Sequence, residues 1–215
     1  MKPPILLTGW CGPEFQKIAY HTLPLMERYA KKHGMDFQCV NLHAEDAPPS
    51  WVKVPRIMAK LNAGHDLVAW LDADVVIFDS SKSILDDVPP TAWQAVVEHE
   101  TECGLVPNCG VWVTSAEMLT TLREAWWARD QYLTHPWWEQ AAVMARMGYS
   151  LSLTSGWPSA ARGTPTEVFE RTAFLPAKWN HHPSDRRSDP KAAFIHVTQY
   201  ADRAAACKEY ASHAT

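Results

Sequence analysis

A chain of 215 residues that is 47% hydrophobic and 20% charged has the profile of one folded domain, which excludes an extended disordered or low-complexity protein. Its formal net charge of −4 gives no overall cationic field for holding a nucleic acid or another polyanion. No apolar segment approaches the roughly 20 residues that cross a bilayer, and the run before Gly9 is too short for a signal peptide, so a cytoplasmic protein without a membrane span is expected. Cys11, Cys39, Cys103, Cys109 and Cys207 are odd in number and form no C-x-x-C pair, which points to free thiols and away from zinc.

The chain opens as β-α-β. Pro4 to Thr8 reads as a buried strand, Glu14 to His33 as a helix capped by Gly34, and Asp36 to Leu42 as a second strand. Pro24 predicts a kink or break in that helix. After a loop through Val54, Pro55 sits at a first helical position, and a helix is expected over Arg56 to Ala63 with Gly64 behind it. Leu67 to Leu71 is a continuous apolar run, the pattern of a central strand buried on both faces. Trp93 to Glu98 and Gly110 to Val113 read as further strands. Thr114 to Glu117 matches a capping box opening a helix to about Arg129. Pro136 to Met147 reads as a helix and Ser150 to Leu153 as a strand. Residues 155–190 are expected to be irregular, Ala192 to Val197 to be a last strand, and the tail from Ala201 to be helical. This alternation predicts an α/β fold, a doubly wound and mostly parallel sheet flanked by helices. Eleven tryptophans are several times the usual number for this length; some must be core, while Trp10, Trp51, Trp137, Trp138, Trp157 and Trp179 fall where loops are expected, and each is either a structural ring or a face suited to packing on a sugar.

Asp72 and Asp74 follow the central apolar run. On an extended chain, side chains two apart point the same way, with Cα atoms roughly 6.5–7 Å apart. The carboxyl end of a central strand is where open α/β sheets bind ligands. Two acids so close resist joint ionisation, and a divalent cation removes the conflict. Hard oxygen ligands favour Mg²⁺ or Mn²⁺; one Asp can bind the ion directly while the other binds through water or holds a ribose hydroxyl.

Trp70-Leu71-Asp72-Ala73-Asp74-Val75-Val76-Ile77 resembles the D-x-D strand of GT-A glycosyltransferases, closest to the galactosyl-, mannosyl- and xylosyltransferases of the fungal mannan and plant xyloglucan type. Other stretches fall in the same order. Trp51 to Leu61, with Lys53 and Arg56, resembles the stretch that approaches the donor. Pro107-Asn108-Cys109-Gly110-Val111-Trp112 resembles the N-x-G-V segment of the sugar pocket. Trp137-Trp138-Glu139-Gln140-Ala141 resembles the W-x-E-Q-A helix start near the reacting sugar. Leu175 to Asn180 resembles the L-P-x-x-W-N strand, and Phe194-Ile195-His196-Val197 the late strand whose His completes the metal site.

The resemblance implies one domain over residues 1–215, with a donor part to about 114 and an acceptor and catalytic part over about 115–200. It implies a nucleotide-sugar donor, a UDP-sugar favoured, a Mn²⁺ or Mg²⁺ cofactor, and retention of anomeric configuration; Glu139 could serve as base if the reaction inverts. Metal ligands are then Asp72, Asp74 and His196. Donor contacts are Thr8, Gly9, Trp10, Asp72, Asn108 and Gly110, with Lys53 and Arg56 competing for the phosphates; Glu139 and Gln140 lie at the reacting sugar. The acceptor is a glycan, a protein side chain or a modified nucleobase. His181-His182 as a metal pair, and Arg162, Lys178 and Arg186-Arg187 as anion contacts, are weaker candidates. A nucleotidyltransferase would need a basic Gly-rich loop, and Thr8 to Pro13 contains no Lys or Arg. A carbohydrate-binding module without activity fits the tryptophan content alone.

Overall fold

Alternation along two neighbouring strands divides the core. In β1 (Ile5–Trp10), Leu6 packs into one apolar cluster while Ile5 and Leu7 pack into another; in β3 (Leu67–Asp72), Ala69 and Leu71 take the first side, Val68 and Trp70 the second. Burial on both faces is why Leu67 to Leu71 reads as an unbroken apolar run. The computed structural model describes residues 2–43, 46–154, 157–182 and 191–215, without the side chains of 153, 154 and 157. Arg186-Arg187 and the indole of Trp157 therefore lie outside the described residues.

The first cluster is covered by α1 (Gly12–Lys32) and α6 (Arg203–His213), the second by α2 (Lys53–Asn62), α3 (Leu119–Trp127) and α4 (Trp138–Arg146). Between them lies a sheet whose main path runs β2 (Asp36–Asn41), β1, β3, β6 (Gly104–Ser115), β5 (Gln94–Thr101) and β9 (Thr172–Phe174). Along this path β1 pairs parallel with β2 and β3, and β5 parallel with β9; β6 alone is reversed, antiparallel to both β3 and β5. The expected α/β architecture, a mostly parallel sheet with helices on both faces, is the one observed. A hairpin of β7 (Tyr149–Thr154) and β8 (Trp157–Arg162) hangs from β6. A two-stranded ribbon of β4 (Val75–Ile77) and β10 (Phe194–His196) stands apart from the main sheet.

Several local expectations are corrected. Helix α1 runs through Pro24 without a break. The backbone bond that Pro24 cannot make is to the Tyr20 carbonyl, and both residues are exposed, so water can serve that carbonyl. Thr114 does not open a capping box: its hydroxyl donates to the Val68 carbonyl at 3.4 Å, the Ser115 hydroxyl and N–H both donate to the Trp93 carbonyl at 2.9 and 3.0 Å, and the chain enters α3 through a 3₁₀ turn. Helix α2 begins at Lys53, ahead of Pro55, because a 3₁₀ turn over Pro49–Val52 leads into it. The stretch expected to be irregular carries β8, a helical turn (Glu167–Glu170), β9 and a 3₁₀ turn (Ala177–Asn180) among its described residues. Trp51 and Trp179 are core residues, fully buried, so they offer no ring to a ligand.

Gly9 lets β1 lie against its neighbour. A Cβ there would come within 2.7 Å of the Val40 carbonyl oxygen, which is backbone and cannot swing away, and within 2.8 Å of the buried Leu42 side chain. Gly9→Ala is expected to lower stability by about 1–3 kcal/mol, the usual cost of overpacking, read by urea unfolding with an unchanged m-value.

Candidate active site

β1 and β3 end side by side, with Gly9 opposite Asp72, and a cleft of about 900 Å³ opens at their carboxyl ends. Asp72 closes β3; Ala73 and Asp74 then form a turn before β4. The two acids are thus not on one extended strand as expected. The turn brings them together instead, and it is held from both sides. Thr22 Oγ1 donates to the Ala73 carbonyl at 2.7 Å, and the Val197 N–H donates to the Asp74 carbonyl at 3.1 Å. The ribbon pairs His196 with Val75, which delivers the imidazole beside Asp74. One ligand atom each from Asp72, Asp74 and His196 lie within 4.8 Å of one another. Opposite ligands at the 2.0–2.1 Å of Mg²⁺ stand about 4.2 Å apart. Two carboxylates and an imidazole at this spacing fit a small divalent cation with little rearrangement.

The protonation state of His196 is set by three neighbours. The Gly110 N–H can only donate, and it lies 2.8 Å from Asn108 Oδ1, so that atom is an oxygen. Asn180 Nδ2 donates to the same oxygen at 3.0 Å, which turns Asn180 Oδ1 toward His196 Nδ1 at 3.2 Å as an acceptor. His196 Nδ1 therefore carries a proton, and Nε2 faces Asp74 Oδ1 at 3.3 Å, donating to it when protonated and offering its lone pair to a cation when not. Gly110 is where it must be: a Cβ would lie 2.4 Å from His196 Cε1. The strand is shaped for this. Between Trp112, opposite Val96, and Asn108, opposite Val97, β6 carries Cys109, Gly110 and Val111 with no partner on β5, a bulge that turns Asn108 and Gly110 into the cleft.

Charge is balanced by two cations, a partly exposed arginine and a buried lysine. Arg203 of α6 donates to Asp74 Oδ2 at 3.2 Å and lies over the Phe15 ring at 5.0 Å. Burial alone would raise the Asp74 carboxyl, but His196 and Arg203 outweigh it and bring it to about 2. Burial alone would likewise lower His196, and Asp74 outweighs it and holds the ring above its usual 6.5. Lys53 Nζ lies 2.9 Å from Asp72 Oδ1 and 2.8 Å from Glu139 Oε1, with its side chain almost wholly buried. Burial pushes its ammonium down, and the two carboxylates override this and hold it above the ordinary lysine range. Asp72 Oδ1 also accepts from Trp70 Nε1 at 2.6 Å.

Most of the expected residues meet at this cleft: Gly9, Trp10, Lys53, Asp72, Asp74, Asn108, Gly110, Glu139, Gln140 and His196 all line it. Gln140 Oε1 accepts the Cys109 N–H at 3.0 Å, which leaves its NH₂ group as a donor. Glu139 Oε2 is buried without a hydrogen-bond partner among the described residues. Two residues do not belong. Thr8 is fully buried beneath the cleft floor, and Gly9 and Trp10 take its place. Arg56 is exposed and off the cleft, because α2 turns Lys53, Val54, Ile57 and Leu61 inward and position 56 falls on the opposite side. His181 and His182 diverge as adjacent side chains do; His182 alone reaches the cleft, its ring centroid 5.9 Å from that of His196. Arg162 and Lys178 are committed elsewhere, Arg162 to Glu98 and Lys178 to Asp87. Arg203 and Asn180 are not singled out by sequence reasoning as site residues. Asn180 sits in a stretch that carries the resemblance, but its partner His196 is reached only through the fold.

No protein-family model and no curated protein matches the chain. Among solved structures, it is similar to a glycosyltransferase involved in glycosylating the major capsid of PBCV-1, at 19% identity and TM-score 0.68, over 98% of this chain and 99% of that one. It is also similar to mouse xyloside xylosyltransferase 1, at 12% identity and TM-score 0.55, over 92% and 98% of the two chains. A third is the galactosyltransferase LgtC in complex with donor and acceptor sugar analogs, at 11% identity and TM-score 0.54, over 98% and 96%. The fold is therefore a glycosyltransferase fold of the GT-A kind. Among the described residues no helix is long and apolar enough to cross a membrane.

Two outcomes are expected. Asn180→Ala removes the acceptor that fixes His196 Nδ1–H and should weaken Mn²⁺ binding by about 10–100-fold, measured by isothermal titration calorimetry, with the fold retained. The pH dependence has two limbs. Asp74 is held below its ordinary 3.8, so its stabilising contribution is complete above that value and is lost as pH falls toward about 2. His196 is held above 6.5, so its contribution is complete below 6.5 and is lost as pH rises through its folded value. Chelator-treated protein should lose stability on that alkaline limb, and Mn²⁺ should restore it, since the ion takes the place of the Nε2 proton; thermal unfolding across pH with EDTA or Mn²⁺ checks this.

Proposed function

We propose that this chain is a metal-dependent glycosyltransferase that moves a hexose or pentose from a nucleoside-diphosphate sugar, a UDP-sugar favoured, to an acceptor hydroxyl. The observation that carries the reading is the convergence of Asp72, Asp74 and His196 on one point of a large cleft, flanked by the cations Lys53 and Arg203. Asp72, Asp74 and His196 would hold Mn²⁺ or Mg²⁺, and such an ion supplies Lewis-acid neutralisation of the charge that develops on a leaving diphosphate.

The chain's own groups divide the remaining work. Gly9 and Trp10 line the cleft at the end of β1 and suit the nucleoside. Arg203 uses one guanidinium nitrogen on Asp74 and keeps other N–H donors for phosphate oxygens. Lys53, permanently charged between two carboxylates, adds positive potential without entering solvent. Glu139 Oε2, a buried acceptor without a hydrogen-bond partner among the described residues, suits a hydroxyl of the donor sugar, and the Gln140 NH₂ group suits a second. The resemblance implies retention, with the acceptor proton leaving on the diphosphate. A cytoplasmic location is part of the same proposal.

UDP at a hundredfold over its Kd is expected to raise the melting temperature by roughly 5–10 °C in Mn²⁺ and to do nothing in EDTA. Asp74→Asn should abolish turnover of the donor while preserving the fold. If a correctly folded D74N protein kept full turnover in Mn²⁺, the assignment of Asp74 to the ion would be wrong.

A further inference from the structure

The entry to α4 is built in an unusual way. Trp138 has φ +39°, the one non-glycine residue with a positive φ among the described residues. That region is unfavourable for a bulky side chain, so the surroundings must hold it there. Three bonds do so. The Trp138 N–H donates to the His135 carbonyl at 3.0 Å, the Trp137 N–H donates to His135 Nδ1 at 3.1 Å, and the Ala141 N–H donates to the Trp137 carbonyl at 3.2 Å. His135 is buried, and burial lowers its pKa, so its ring stays neutral and Nδ1 remains an acceptor. The result is a large indole that stays 39% exposed while lining the cleft, next in the chain to Glu139. The positive φ costs the folded chain stability, and the side chain it carries is not buried in return.

Chemistry narrows what such a ring is for. The opposite hairpin turn brings Glu102, an exposed carboxylate, to the same cleft. A flat aromatic face and a carboxylate lining one cleft match a pyranose ring, which offers C–H bonds on its face and hydroxyl donors on its edge. Glu102 and the net charge of −4 disfavour a nucleic acid. We infer that the acceptor is a carbohydrate, a pyranoside seated on the exposed indole of Trp138 at the mouth of the cleft. This rests on the donor reading above. In the transfer, an acceptor hydroxyl oxygen bonds to the donor's anomeric carbon. The bond from that carbon to the diphosphate oxygen breaks with its electron pair on the oxygen, and the hydroxyl proton leaves with the diphosphate.

The test is saturation-transfer NMR on a panel of methyl α- and β-pyranosides (gluco, galacto, manno and xylo), with Mg²⁺ and UDP present and UDP observed in the same sample. The proteins are wild type, W138F, W138G and W138N, the last two being residues that accept a positive φ without a ring. At least one pyranoside should bind wild type. W138F should stay within about threefold, and W138G and W138N should lose about tenfold or more, while UDP still binds. UDP binding with no pyranoside bound by wild type, or with pyranoside affinity unchanged in both W138G and W138N, overturns the acceptor assignment and leaves the donor reading intact. So does transfer to a hydroxyl-bearing peptide that is indifferent to W138G. Absence of UDP binding in wild type overturns both.

Discussion

Asp72 and Asp74 place two negative charges within 4.8 Å of each other where the middle of the sheet ends. At an effective dielectric constant near 20, two unit charges at that separation repel by about 3 kcal/mol. The surrounding structure can be read as the answer to that repulsion. Lys53 comes from α2 to hold Asp72, and Arg203 comes from α6, on the other face of the sheet, to hold Asp74. His196 arrives on a ribbon that departs from the main sheet only to pass the aspartates. Each partner is bound by the same charges that would attract a divalent ion, which makes the cleft a prepared electrostatic site and not a chance meeting of polar residues.

A second layer keeps this arrangement from rotating out of register. The run from the Gly110 N–H through Asn108 and Asn180 to His196 leaves only one assignment of donors and acceptors, and that assignment points Nε2 into the site. The bulge in β6 supplies the room, and the missing side chain at Gly110 supplies the contact with the imidazole. Gly110 and Asn108, expected to meet the donor sugar, thus have a prior task in supporting the histidine. Lys53 similarly links two halves of the cleft, since its two carboxylate partners come from β3 and α4.

The parts of this fold that depend on local periodicity were legible in the chain. The buried run before Asp72, the β-α-β opening and the helices with Pro or Gly at their ends all appear close to where they are expected. What was not legible depends on partners distant in sequence. Trp51 and Trp179 sit beside loop-forming residues, yet are buried by elements far along the chain. Nothing local distinguishes Arg203 from a surface arginine until α6 docks on α1 and brings it to Asp74. Arg56 and Lys53 are both cations near one helix start, and only the observed beginning of α2 decides which turns inward. Pro107 and Asn108, residues typical of turns, cut the part of β6 that reads as a strand to Gly110 to Val113, whereas the strand itself runs Gly104–Ser115. Even the carboxylate pair, whose two members do meet in the cleft, was reached by the wrong geometry, because the turn at Ala73-Asp74 carries no glycine or proline to announce it.

The proposed function requires one cation among Asp72, Asp74 and His196, anchoring a nucleoside diphosphate. Diffraction at the manganese absorption edge, from crystals grown with UDP and MnCl₂, addresses it without reference to activity. The account predicts an anomalous peak within bonding distance of at least one aspartate and of His196 Nε2, shared with the phosphate oxygens. Ordered UDP in the cleft with no manganese beside these three residues, or manganese bound elsewhere, would contradict it.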